Sequence, residues 1–282
     1  MIPVRLIPKL DIKSLNLVKG VNMEGLRVMG DPSEFALNYF KEGADEIFYQ
    51  DVVSSLYGRE NLIKILSRTA NNIFIPITAG GGVKSLEHIN KLLNSGADRV
   101  SINTHGLLNV NLIKEAIKKF GSSNIVISID ALKDGPNNYY PLYNYGRDKS
   151  EYNLVDWLKI CEDLGVSEIF ISSILNDGTG NGPDFELLDL VKKNVSASIV
   201  YNGGVGNFDQ LIRLIKDYSP NGVSMSSMLH YNLLSRGKVN IDSITTGNVH
   251  YIKSKQIPKK ITHMNLIDIK KKLFEKGINC II

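Results

Sequence analysis

Two aspartates carry the first chemical signal in this sequence. Asp11 ends the β-rich run VRLIPKLDI that begins at Val4, and Asp130 ends IVISIDA, which begins at Ile125. If both stand at strand ends on opposite sides of one cavity, they suit a general acid and a general base acting on the two faces of one substrate. The plainer reading, in which each only caps the loop behind it, fits a lone aspartate better than a matched pair. Glycine runs are the second signal: Gly80-Gly81-Gly82 ends one β-rich run and Gly203-Gly204 another. Glycine lets backbone N–H groups close around an anion, and the helix N-terminus that follows adds a favourable dipole. Asn103 and Thr104, and likewise Ser226 and Ser227, follow neighbouring runs and supply further donors. One phosphate cradle late in a barrel is common. Two opposed cradles imply an elongated substrate with a phosphate at each end and its reacting centre between the aspartates.

A third group belongs to the other end of the strands. Arg5, Glu46, Arg99 and Glu168 stand at strand starts, and Arg5 shares alternation parity with Asp11, as Arg99 does with Asn103. Two positive and two negative charges then meet at a floor, as a ring that closes or gates an axial passage; ordinary surface ion pairs are the alternative. The histidines His88, His105, His230, His250 and His263 are scattered. None has metal-ligand spacing, so they are assigned neither a metal nor a catalytic role, and no cofactor is called for.

These residues need a scaffold that puts eight strand ends on one rim. Short β-rich runs begin at Val4, Glu46, Ile73, Arg99, Ile125, Glu168, Ala197 and Gly222, with amphipathic segments between them. One segment places Leu154, Trp157, Leu158, Cys161 and Leu164 on a single helical face; another starts at Asp31-Pro32, a capping residue followed by proline at the first helical position. The alternation predicts α/β architecture, a single (β/α)8 TIM barrel, with an open doubly wound sheet as the alternative. An internal repeat favours the barrel. GADEIFYQDVVSS from Gly43 returns as GVSEIFISSILND from Gly165, IPITAGGGVKS as ASIVYNGGVGN, and PKLDIK as ISIDAL. All three recur after about 120 residues, as two (β/α)4 halves would.

The 282 residues suit one barrel domain over 1–282, with 43% hydrophobic and 22% charged residues. No apolar stretch approaches the ~18 residues of a membrane span, and no signal-peptide pattern opens the chain. Cys161 reads as a buried reduced thiol, so a cytoplasmic protein is expected. A net charge of +4 suits an anionic metabolite and is no nucleic-acid footprint. Lys253, Lys255, Lys259, Lys260, Lys270, Lys271 and Lys272 gather near the C-terminus. They read as a solvated loop and helix face, with a partner-binding patch as the alternative.

The segments IPKLDIKSLNLVKGVN, GADEIFYQD, IPITAGGGVKS, GADRVSIN, ISIDA, NDGT and NGGVG, in order through residues 1–235, resemble the cyclase subunit of imidazole glycerol phosphate synthase. That resemblance implies a glutaminase subunit docked at the barrel floor, forming a heterodimer. It implies ammonia passing through the barrel to a bis-phosphorylated ribulosyl aminoimidazole carboxamide, which becomes imidazole glycerol phosphate and an aminoimidazole carboxamide ribotide in histidine biosynthesis. It implies that Asp11 and Asp130 are the acid–base pair. Lys19, in a mobile loop, and Asp177 would hold substrate. Gly82, Asn103 and Thr104 match one phosphate site, and Gly178, Gly204, Ser226 and Ser227 the other. Arg5, Glu46, Arg99 and Glu168 match a charged gate, and Asp98 the glutaminase interface.

The departures gather at the mouth. Lys9 stands where the family usually has cysteine, positioned to pair with Asp11 and favour its charged form. Ser172 replaces a threonine, keeping the hydroxyl, and Leu175 an acidic residue. The loop near Arg147 reads YNYGR, and about 30 residues are inserted around 237–263, before the last helix. These changes leave a second expectation open: a paralogue that docks a glutaminase and channels ammonia to a sugar amidotransferase of surface-polysaccharide (amidino sugar) biosynthesis. A barrel with unrelated phosphate chemistry is a third.

Overall fold

The computed structural model describes residues 3–53, 60–240 and 260–281. Eight parallel strands close on themselves: β1 (Arg5–Lys13), β2 (Ile47–Asp51), β3 (Ile77–Gly80), β4 (Arg99–Ile102), β5 (Ile125–Lys133), β6 (Glu168–Ser173), β7 (Ser198–Asn202) and β8 (Gly222–Met225). Each pairs with its neighbours in sequence order, and β8 pairs back onto β1 with Arg5 opposite Gly222. The chain is therefore a closed (β/α)8 barrel, and the open-sheet alternative falls.

Strand periodicity divides the apolar residues between two cores. Leu6, Leu10 and Ile12 of β1 belong to the large outer core between strands and helices. Ile7, of the opposite parity, clusters with Phe48, Val126, Phe170 and Val200 as a separate inner core. There Phe48 and Phe170 stack with ring centroids 4.1 Å apart. Glu46 and Phe48 of the first half return at the same offset as Glu168 and Phe170 of the second, so the stack joins repeat equivalents.

The helix signals are realised. Asp31 Oδ1 accepts hydrogen bonds from the Ser33 and Glu34 amides (2.8 and 3.3 Å), capping the helix Pro32–Lys41. The helix Leu154–Asp163 buries Leu154, Trp157, Leu158 and Cys161, while Leu164 lies at its C-cap and is half-buried. Burial pushes the Cys161 thiol up to about 12; Cys161 and Cys280 are both free.

Other features depart from the sequence reading. The run from Ile73 forms a strand only from Ile77, because Pro76 has no N–H to donate to a ladder. Where a mobile loop is implied after β1, an antiparallel hairpin of Asn16–Val21 and Glu24–Gly30 continues it, pairing Asp11 with Val18. A second hairpin, Tyr139–Tyr143 with Asp148–Lys149, continues β5. Lys270 is no solvated helix residue: it is buried, paired with Asp45 at 2.7 Å and donating to the Ile281 carbonyl. Residues 241–259, which hold most of the expected insertion together with His250, Lys253, Lys255 and Lys259, lie outside the described residues. Among the described residues no helix is long and apolar enough to cross a membrane.

Candidate functional site

The C-terminal ends of the strands bring six buried charged side chains to one mouth: Lys9 and Asp11 from β1, Lys19 from the first hairpin, Asp51 from β2, Asp130 from β5, and Asp177 after β6. Lys9 and Asp11, two apart on one strand, point the same way, and Lys9 Nζ lies 2.5 Å from Asp11 Oδ1. Tyr145 Oη donates to the other oxygen, Oδ2, at 3.4 Å. Lys19 Nζ pairs with Asp177 Oδ2 at 2.8 Å, so this lysine is held in a strand and buried. Asp130 has a neutral donor instead, Asn103 Nδ2 at 2.9 Å from its Oδ2.

Electrostatics follow from this pairing. Burial pushes the Asp130 carboxyl up to about 6; Lys9 opposes the shift, while Asp11 and Asp177 reinforce it. For Lys9, burial disfavours the ammonium, but Asp11, Asp177 and Asp130 outweigh it and its pKa is raised. Burial likewise opposes the Asp177 carboxylate, yet Lys19 and Lys9 prevail and its pKa is lowered.

A glycine cradle flanks the aspartates on each side. In the first, Gly81 and Gly82 have φ of +115° and +54°, and a Cβ on Gly81 would meet the Asp51 carbonyl oxygen at 2.3 Å. Ser101, Asn103, Thr104 and Tyr145 complete its lining. Thr104 Oγ1 already accepts the Asn144 amide at 3.0 Å, so the hydroxyl also fixes the second hairpin. In the second, Gly203 and Gly204 have φ of +113° and +86°, and a Cβ on Gly204 would meet the Gly182 oxygen at 1.9 Å. Gly178, Ser224, Ser226, Ser227 and Lys19 share that cradle. Each holds one buried polar atom with no hydrogen-bond partner among the described residues, Asn103 Oδ1 in the first and Ser224 Oγ in the second. Buried polar atoms are seldom left unpaired, so both cradles fit a polar ligand.

Sequence reasoning missed Ser224 and the Tyr145 hydroxyl. Ser224 shares strand parity with Ser226, a signal that was available; Tyr145 arrives on a hairpin and carried none. Ser172 is buried under Asn202, whose Nδ2 donates to its Oγ at 3.3 Å. Of the histidines, His230 is buried beside the mouth, with Nδ1 2.6 Å from Tyr39 Oη. Burial, with Lys19 adding repulsion, pushes it down to about 3, which keeps the ring neutral. No group of three His, Cys, Asp or Glu among the described residues is placed to hold a metal.

At the barrel floor the four predicted charges meet. Arg5 bonds Glu46 at 2.8 Å and also Glu168; Arg99 bonds Glu168 at 2.6 Å and also Glu46. Each arginine spans both glutamates, so the ring is closed, and Thr78 Oγ1 donates to Glu46 Oε1 at 2.6 Å. Burial raises Glu46, with Arg99 and Arg5 opposing. The surface-pair alternative fails, since Glu46 is 2% exposed and Arg99 16%. Asp98 stands beside the ring in sequence, where its Oδ2 accepts the Ile77 amide at 2.8 Å.

Comparison with known proteins adds an independent finding. The family described as "Histidine biosynthesis protein" matches residues 5–235. A relative from Legionella pneumophila, named imidazole glycerol phosphate synthase subunit HisF, is 44% identical over 73% of this chain and 98% of its own. Relatives of the same name from Bacillus cereus (strain Q1) and Corynebacterium glutamicum (strain R) are each 38% identical. They cover 85% and 84% of this chain and 95% and 94% of their own.

Proposed function

The chain belongs to the family of histidine biosynthesis proteins, and on that premise we propose that it is the cyclase subunit of an imidazole glycerol phosphate synthase. Its substrate is the bis-phosphorylated ribulosyl aminoimidazole carboxamide, which ammonia converts into imidazole glycerol phosphate and the aminoimidazole carboxamide ribotide. The observation that carries this reading is one mouth holding two buried carboxyls, Asp11 and Asp130, between two glycine cradles that each present an unpartnered polar atom.

Each residue then has a task. The cradles at Gly82, Asn103 and Thr104 and at Gly178, Gly204, Ser226 and Ser227 take the two phosphates. Lys19, tied to Asp177, holds the hairpin over the bound substrate, and Ser172 lies beneath it. Asp11 and Asp130 exchange protons with the reacting carbon and nitrogen centres. The partner is a glutaminase subunit docked at the N-terminal face around Asp98 and Arg99. Ammonia released there crosses the floor ring and the inner core to the mouth. We place the protein in the cytoplasm, a reading supported by two buried free thiols.

The test is ammonium-fed turnover of that substrate by the purified protein at alkaline pH, which removes the need for a glutaminase. Turnover is expected, with Asp11→Asn and Asp130→Asn each lowering it by roughly 100-fold or more. Near-normal rates in either variant would remove that residue from the acid–base pair. A folded protein that binds a glutaminase yet turns nothing over would be left with the ammonia-delivering role toward a sugar amidotransferase. The similarities to known proteins lend that second role no support.

A further inference from the structure

Residues 260–265 lead into the last helix, Leu266–Glu275, and on the way they cross the rim of the second glycine cradle. Lys260 and Thr262 are exposed, but Ile261 between them is buried, 6% exposed, and lines the cavity beside Gly178, Gly204 and Ser226. Among the described residues, the rest of that lining comes from the barrel strands, the loops and helix starts directly after them, and the first hairpin. Two hydrogen bonds seat this strap. The Thr262 amide donates to the Gly206 carbonyl after β7 at 2.7 Å, and Lys260 Nζ donates to Asn181 Oδ1 after β6 at 2.8 Å. Both loops make room for it with glycine. A Cβ on Gly180 would meet the Lys260 carbonyl oxygen at 2.8 Å and Ile261 Cγ1 at 3.0 Å, and one on Gly206 the same oxygen at 2.9 Å.

We propose that this strap is part of the second cradle, and that Ile261 is its apolar outer wall, which tightens the hold on the phosphate of an elongated phosphate ester. This deepens the proposed function and rests on the phosphate assignment made there; it adds a binding residue that neither half of the barrel repeat supplies. The donors the cradle can offer are backbone amides at Gly203 and Gly204 and the helix start at Ser227. Hydrogen bonds from such groups to an anion strengthen as water is displaced from around them. Ligand pockets are accordingly apolar over most of their lining, with a few polar groups aimed inward. In the first cradle the second hairpin contributes instead, through Asn144 and Tyr145. The two ends of the ligand therefore meet different walls, polar at one and apolar at the other. Neither Asp11 nor Asp130 lines the second cavity, so the strap acts on binding rather than on proton transfer.

Inorganic phosphate titrated into the isotope-labelled full chain tests this by NMR. The amides of Gly203 and Gly204 report the second cradle, and those of Gly81 and Gly82 the first. Ile261→Ala is expected to weaken phosphate at the second cradle by roughly fivefold or more, while the first keeps its affinity. Thr262→Pro gives the same result from an exposed position, because it removes the N–H bonded to Gly206 and alters no side chain of the lining. It serves if the alanine variant does not fold. Unchanged affinity at the second cradle in the folded variants, or equal weakening at both cradles, would overturn the proposal. Phosphate that moves neither glycine pair in the wild type would overturn it as well, and would take the phosphate assignment of both cradles with it. In ammonium-fed turnover the same variants should raise KM and leave kcat in place. A protein that shows the expected phosphate titrations but turns nothing over keeps the strap in its cradle and loses the cyclase reading instead.

Discussion

A buried ionisable side chain ties folding to pH, and the mouth holds two that pull in opposite senses. An unfolded chain takes up a proton at His230 near pH 6.5, while the folded protein waits until about pH 3. The stability that the neutral ring supplies is therefore complete above pH 6.5 and lost as pH falls. Asp130 behaves inversely. Its carboxyl titrates near 3.8 unfolded and about 6 folded, so stability falls as pH rises between those values. Between pH 4 and 6 the two largely cancel. Asp130→Asn removes one side, so its unfolding free energy in urea should drop on acidification more steeply than that of wild type, by up to about 1.4 kcal/mol per pH unit. Parallel curves would show that Asp130 does not titrate in that window. None of this was legible from residue types, because His230 is one of five scattered histidines until packing buries it. The Lys9–Asp11 contact was legible, because residues two apart on a strand share a face.

The element that shapes the mouth most is the hairpin continuing β1. Asn22 Nδ2 donates to the Ile174 and Leu175 carbonyls (3.1 and 2.7 Å), and its amide donates to Asp177 O at 2.8 Å. Gly178 packs so close that a Cβ there would meet the Gly20 oxygen at 2.5 Å. Asn22→Ala deletes two hydrogen bonds worth about 1 kcal/mol each. Hydrogen exchange of amides across 16–30 should then speed up roughly tenfold or more, with the barrel strands unchanged. Unchanged exchange in the hairpin would mean the Lys19–Asp177 pair and the backbone bond of residue 22 suffice to hold it down. The eight barrel strands were visible as β-rich runs alternating with helical patterns, but both hairpins were not. The first turns on Asn22-Met23, both with positive φ, where the usual signal is Asn-Gly, and the second on the longer loop 144–147. A two-residue turn lacking its glycine, like the first, reads as plain loop.

At the scale of the whole molecule, the barrel carries one closed charge ring at its floor and one stacked aromatic pair above it. Removing one partner from a buried ion network leaves the others uncompensated. Arg99→Met strips a donor from both glutamates and should cost roughly 3 kcal/mol in urea denaturation. It should also reduce glutamine-fed turnover more than ammonium-fed turnover; equal effects on both would take the ring out of the ammonia route. The ring was foreseen from strand parity, whereas the stack of Phe48 on Phe170 was not, since an aromatic on a strand reads equally well as outer core. The same duplication leaves the mouth nearly two-fold, with a carboxyl and a glycine cradle contributed by each half. An elongated ligand carrying like anions at both ends would then fit either way round. The offset that carries Asp11 to Asp130 carries Lys9 to Ser128, a small neutral side chain. With the Lys19–Asp177 pair and the Tyr145 hydroxyl, that mismatch gives the two halves of the mouth different charge, so the site has a head and a tail.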